Sequence, residues 1–356
     1  MKINTATVKY SSIVSIGEDI ARIESETGDK YLKLHRGVMD VTTLDMTHIG
    51  DFCDFNHKSL QQYSGNDGYQ PLIDTIKSKF NLMDHRVMVT PGGMAALDLV
   101  FNSLSESKVW ISYYHWGSWN KILKTHDKNI ILFNDFFLNE FRPESGIVLL
   151  CYPSNPTGYC PKLEDIKDFL VYSKKNNITV VLDLPYYYLF NDYENNLSDY
   201  FYDNVIVLSS FSKSLGLSGY RVGYVATKNE ELYQTLRIRS LYKYNSISTI
   251  PQHIINVLLT QRESVRAYRT KTVEHITNNI NYLNEKGLLL DDYPETPIGP
   301  FAIVKMSYDE LLKYKISSVP LSKFTLKSIK YEEKFSRISV AVDHEIFVEY
   351  FNKIKK

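Results

Sequence analysis

Three short apolar runs constrain this chain more than any other feature: GIVLLC (146–151), ITVVLD (178–183) and NVIVLSS (204–210). Each is dense in Val, Ile and Leu, too short for a buried helix and without polar alternation, so both faces of each strand must be covered. Between the first two, KLEDIKDFLVYSKKNN (162–177) has helical apolar spacing. Strand, helix, strand in this manner specifies a parallel sheet with helices on both faces. RVMVT (86–90), KVWISYY (108–114) and RVGYVAT (221–227) read as further strands, and MAALDLVFNSL (94–104) as the helix after the first of them. Residues 228–285 are mainly helical, and 286–356 alternate short strands with short helices, the look of an α+β lobe. A length of 356 residues, 44% of them hydrophobic, suffices for two domains and a sizeable core.

In open parallel sheets ligands bind at the carboxyl ends of the strands. The chemically capable residues fall there: Gly92–Gly93, Trp116, Asn155, Asp183 and Lys213 each follow a strand. Lys213 stands in SSFSKSLGLSGYRVGY (209–224), among hydroxyls and glycines, with Arg221 close behind it. Burying a lysine is costly. Burial also lowers its pKa, and the neutral amine attacks a carbonyl to form a Schiff base. Pyridoxal phosphate is the commonest protein-held aldehyde for such a lysine. It asks for a carboxylate at its ring nitrogen, donors at its phenolate oxygen, an aromatic on its face and a phosphate cup.

The chain offers a candidate for each. Asp183 is the one acid in its apolar run. Asn155 and Tyr186 can donate to the phenolate oxygen, and Trp116 can stack on the ring, with Trp119 and Tyr114 as rivals beside it. Gly92, Gly93 and Met94 open a helix whose backbone N–H groups suit a phosphate, and Ser210, Ser212 and Arg221 add to that cup. Taken singly, Asp183 equally suits a helix cap and Asn155 a turn.

YPSNPTG (152–158), DLPYYYL (183–189), SFSKSLGLSGYRVGY (210–224) and FSRISVA (335–341) together resemble the motifs of the class I/II aminotransferases, fold-type I pyridoxal-phosphate enzymes typified by aspartate aminotransferase. The resemblance runs from about residue 31 to 342, with the motifs in the family's order. It implies an α/β fold: a large domain with a mostly parallel seven-stranded sheet between helices, and a smaller α+β domain. The implied division is 1–38 as an N-terminal segment of the small domain, 39–255 as the large domain and 256–356 as the C-terminal small domain. Lys213 resembles the Schiff-base lysine and general base, Asp183 the pyridinium partner, Asn155 and Tyr186 the phenolate donors, and Trp116 the stacking aromatic. Gly93, Met94, Ser210 and Arg221 match phosphate-binding positions. Tyr63, in QQYSGNDGYQPLIDTI (61–76), matches a tyrosine that reaches the neighbouring subunit's phosphate, which implies a homodimer with shared sites. Arg337 matches the clamp on the substrate α-carboxylate, a job suited to a planar guanidinium. Gly37, in KLHRGVMD (33–40), falls where the backbone nears the substrate.

The activity implied is transamination between an L-amino acid and a 2-oxo acid; the same apparatus also serves decarboxylases and lyases, threonine-phosphate decarboxylase among them. YKYNSIS (242–248) and the compact length resemble the histidinol-phosphate aminotransferase subgroup, for which Arg36 and Lys243 are the candidate extra cations, although a solvated surface suits each of them better. Tyr114, Trp119, Tyr187 and Tyr244 are candidates for an aromatic pocket. Gly92 stands where some relatives carry a serine, and no arginine suggests itself for a second substrate carboxylate. Lys+Arg and Asp+Glu balance at 41 each, which speaks against a nucleic-acid partner, and no basic helix-turn-helix precedes the domain as in regulators of this fold. The start lacks a secretory h-region, no apolar run approaches a membrane span, and Cys53, Cys151 and Cys160 have no paired spacing. A cytoplasmic enzyme without metal is expected.

Overall fold

The protein is described by a computed structural model, which describes residues 11–47, 49–52, 54, 56–190, 197–260, 262–327 and 331–354; Cys53 lies outside them. Its central sheet has seven strands: β1 (Arg86–Thr90), β2 (Lys108–Ser112), β3 (Asn129–Phe133), β4 (Ile147–Cys151), β5 (Thr179–Asp183), β6 (Val205–Ser210) and β7 (Gly223–Thr227). Their order is β1-β7-β6-β5-β4-β2-β3. All run parallel except β7, which is antiparallel to both β1 and β6. Every residue of β4, β6 and β7 is buried, as the unbroken apolar runs demand. The sequence pattern marks six of these strands. The seventh, β3, is an edge strand whose NIILF follows directly on helically spaced residues.

The reversed strand matters for the site. Because β7 begins where β1 and β6 end, Gly223 lies in register beside both Thr90 and Ser210. A Cβ on Gly223 would come within 2.7 Å of the Ser209 carbonyl and 2.8 Å of the Gly92 carbonyl carbon, so only glycine lets these three chain segments meet.

Helices cover the sheet. After the N-terminal helix α1 (Ser12–Thr27) come α2 (Gly93–Ser103), α3 (Gly117–Thr125), α4 (Leu163–Lys175), α5 (Glu230–Tyr244), α6 (Thr249–Thr260), α7 (Arg262–Glu285) and α8 (His344–Phe351). The α2 helix packs on β6 and β7, and α4 packs on β5. A second, antiparallel sheet is built from β8 (Phe301–Val304), β9 (Val319–Pro320) and β10 (Ser336–Ser339), with β10 in the middle. Leu32–Lys33 pairs in parallel with Ile316–Ser317, which ties the segment after α1 to the C-terminal lobe. No helix among the described residues is long and apolar enough to cross a membrane.

Candidate active site

A cavity of about 430 Å³ opens at the carboxyl ends of the central strands, where the second sheet and α1 face them. Gly37, Gly93, Met94, Trp116, Asn155, Asp183, Tyr186, Ser210, Ser212, Lys213, Arg221 and Arg337 all line it. The sequence separates these residues by up to 300 positions, and the strand ends gather them.

At one end lies a polar cup. Gly92 caps α2 with φ +85°, a conformation that favours glycine, and a Cβ there would stand 2.4 Å from Arg221 Nη2 and push the guanidinium aside. The first N–H groups of α2, at Gly93 and Met94, therefore open onto the cavity with the positive end of the helix dipole behind them. Ser210 ends β6, and its Oγ accepts from the Ser212 N–H at 3.1 Å and lies 2.9 Å from Ser212 Oγ. Arg221, itself left-handed at φ +53°, donates from Nη1 to Ser212 Oγ at 3.3 Å and to the Ser218 carbonyl at 2.8 Å. Arg221 and the two hydroxyls thus share one set of hydrogen bonds beside the N-terminus of α2, a fit for a phosphate dianion.

Lys213 follows Ser212 in the single turn Phe211–Ser214 and donates to the Gly37 carbonyl. Burial, with Arg337, Arg221 and Arg36 nearby, pushes its amine down to about 8. Across the cavity, burial pushes Asp183 up to about 7, partly opposed by a hydrogen bond of 3.0 Å from Trp119 Nε1 to Oδ2. Tyr186 is buried edge-on to Phe301 at 5.5 Å. Burial, then Cys151 and Asp183, raise its phenol, while the Asn155 side chain bonds it and works the other way. The Asn155 Oδ1 atom is buried without a partner among the described residues.

Arg337 sits on β10 and is 0% exposed. Nη2 donates to the His35 carbonyl at 2.8 Å, and the guanidinium lies between the rings of Phe301 and Phe324 at 4.6 and 5.0 Å. Its Nε and Nη1 find no partner among the described residues, and burial lowers its pKa to about 10. A buried cation with unused donors and no carboxylate beside it is costly unless a ligand anion completes it.

Several expectations need adjusting. Trp116 lines the cavity as the cap of α3, whereas Trp119, one turn on, is 2% exposed and spends its N–H on Asp183. Of Tyr114, Trp119, Tyr187 and Tyr244, only Trp119 reaches the cavity. Lys243 is ion-paired to Asp98, which His126 also contacts at 2.8 Å, so it is held away from the site. Arg36 is exposed beside Gly37. Tyr63 is 83% exposed and lies outside its own chain's cavity, in a surface hollow with Leu60 and Ile250. Sequence reasoning missed Ile13 and Val14, which bring the first turn of α1 to the cavity mouth. A larger hollow of about 550 Å³, between residues 42–49 and α6–α7, holds none of these groups.

Comparison with known proteins agrees with this geometry. The family model for aminotransferase class I and II matches residues 52–350. Histidinol-phosphate aminotransferase of Methanocaldococcus jannaschii is 24% identical over 250 residues, covering 68% of this chain and 63% of that protein. The enzyme of the same name from Aliarcobacter butzleri is 27% identical over 249 residues, covering 65% of each chain. The matches therefore span less than two thirds of either relative's length. Aspartate aminotransferase from Thermus thermophilus, solved with maleate, superposes with a TM-score of 0.83 at 17% identity over 99% of both chains, and so shares the fold. The chain belongs to the aminotransferase class I and II family.

Proposed function

We propose that this protein is a pyridoxal-phosphate-dependent aminotransferase that moves an amino group between an L-amino acid and a 2-oxo acid. One observation carries the reading: Lys213, Asp183 and the incompletely bonded Arg337 face a single cavity that also holds an anion cup. When bound, pyridoxal phosphate supplies an aldehyde for the substrate amine and a ring that takes up electrons from Cα.

The rest is the chain's own work. Lys213 Nζ, depressed to about 8, is neutral often enough to hold the aldehyde and then to take the proton from substrate Cα. Asp183 keeps the ring nitrogen protonated, and Asn155 and Tyr186 hold the ring oxygen. Gly92 shapes the turn, while the Gly93 and Met94 N–H groups, Ser210, Ser212 and Arg221 hold the phosphate. Trp116 covers a ring face. Arg337 Nε and Nη1 receive the substrate α-carboxylate, and Gly37 brings the backbone carbonyl alongside.

Among the cavity's lining residues the cations are Lys213, Arg221 and Arg337, all with roles above. This favours substrates without a second carboxylate. Arg36, exposed beside Gly37 and close enough to act on Lys213, is a candidate cation for a phosphorylated side chain such as the relatives' names indicate.

We assign residues 39–255 to the large domain and the segments on either side to the small one, in a cytoplasmic homodimer. Ile238, Leu241 and Tyr242 on one face of α5, together with Ile250 and Tyr63, leave apolar surface exposed, which supports pairing of two copies. Tyr63 then reaches the partner's phosphate cup.

The test is an absorbance scan after adding pyridoxal phosphate. A visible band appears in the wild type and is absent in Lys213→Ala. An amino donor discharges the band without release of carbon dioxide; carbon dioxide release would favour the decarboxylase reading.

A further inference from the structure

Trp119 is a large buried side chain whose single polar atom is aimed at the buried carboxylate of the site. An indole N–H donates and never accepts, at any pH. Its bond to Asp183 Oδ2 is therefore permanent in sign: it favours the carboxylate, and Oδ2 is the oxygen it occupies. No other hydrogen bond to Asp183 is found among the described residues.

We propose that Trp119 is a positioning residue that holds Asp183 by Oδ2, so that Oδ1 is the oxygen presented to the pyridine nitrogen of the cofactor and the one that carries the transferable proton. A proton on Oδ2 would face the indole N–H and lose its bond, so protonated Asp183 carries hydrogen on Oδ1. Asp183 gives that proton up to the ring nitrogen and becomes the carboxylate beside a cation; one O–H bond breaks and one N–H bond forms.

The surroundings leave this pair to set the balance. Beside Asp183 on β4 is Cys151, on β6 the apolar Leu208, and in the following turn Tyr186. Burial raises the pKa of both the Cys151 thiol and the Tyr186 phenol, so both stay neutral where Asp183 titrates, near 7. The cations Lys213, Arg221 and Arg337 line the same cavity. The position of Trp119 is set by the helix: it lies one turn beyond Trp116, on the buried face of α3.

This inference rests on the proposed cofactor, and its test separates the two. Pyridoxal phosphate binding is measured from pH 6 to 9 in the wild type, Trp119→Phe, Asp183→Ala and the double variant. We expect Trp119→Phe to bind about ten-fold more weakly at pH 7, with binding recovering toward pH 9. In the Asp183→Ala background the same change has less than a two-fold effect. An unaltered pH profile in Trp119→Phe, or an equal loss in both backgrounds, overturns the proposal; failure of the wild type to bind at all overturns the cofactor reading instead. A readout free of cofactor and of Trp119 variants is ultraviolet resonance Raman of the apoprotein at pH 8.5. The N–H-sensitive tryptophan band moves toward a weaker bond in Asp183→Ala, and a band that stays in place contradicts the proposal.

Discussion

The two ends of the cavity are finished differently. At the phosphate end, Ser210, Ser212 and Arg221 bond one another and the Ser218 carbonyl, and Gly92 holds the helix turn in place. At the carboxylate end, among the described residues, Arg337 has two donors with no partner, and Lys213 bonds the Gly37 carbonyl alone. The side chains of the first end hold one another in place without a ligand, which suits a group that stays. The second is strained by burial and suits a group that comes and goes, because an incoming carboxylate repays the desolvation that the folded chain carries.

The sharpest way to break this contrast is at Arg337. Arg337→Ala should lower kcat/KM for an amino acid by roughly 10²–10³, mostly through KM, with little change in cofactor affinity. Arg337→Lys should restore little, since an ammonium cannot present the planar fork. Equal losses of substrate and cofactor binding would erase the distinction between the ends.

Lys213 sharpens it next. The rate at which apoprotein captures pyridoxal phosphate should rise about ten-fold per pH unit below pH 8, where the amine is half neutral, and level off about one unit above it. The sign follows from burial and neighbouring arginines disfavouring the ammonium. A rate still climbing toward pH 10 would mean an ordinary lysine. In Arg337→Ala the plateau should move up, because one of those cations is gone.

A smaller effect tests the cup. Gly92→Ala places a methyl in a left-handed turn and against Arg221. It should weaken cofactor binding about ten-fold and cost about 1 kcal/mol of stability, measured by titration and thermal melting. The smallest effect belongs to Lys243→Ala: less than a two-fold change in kcat/KM for any substrate, since its partially exposed pair with Asp98 contributes under about 1 kcal/mol. A large loss with phosphorylated substrates only would return Lys243 to the site.

The contrast also marks what the sequence made legible. The phosphate end is local: Ser210, Ser212, Lys213 and Arg221 occupy one short stretch, and Gly92–Gly93 follow a strand, so spacing alone reveals them. The β4, β5 and β6 runs reveal the sheet because buried strands leave a compositional trace. The carboxylate end is assembled from distant pieces. Arg337 is identified by motif, but the His35 carbonyl and the Phe301 and Phe324 rings that surround it come from separate elements with no shared periodicity. The role of Trp119 depends on which face of α3 is buried. Its offset of one helical turn from Trp116 is the available signal; the sequence names it only as a rival to Trp116 for stacking, and the bond to Asp183 appears in the structure alone. The approach of Ile13 and Val14 is tertiary, and nothing in their local sequence announces it.

The account rests on one amine, and it can be trapped. After loading with pyridoxal phosphate, borohydride reduction and proteolysis, mass spectrometry should find the pyridoxyl group on the peptide carrying Lys213 and on no other stoichiometric site. Label on a different lysine, or none on Lys213, would contradict it.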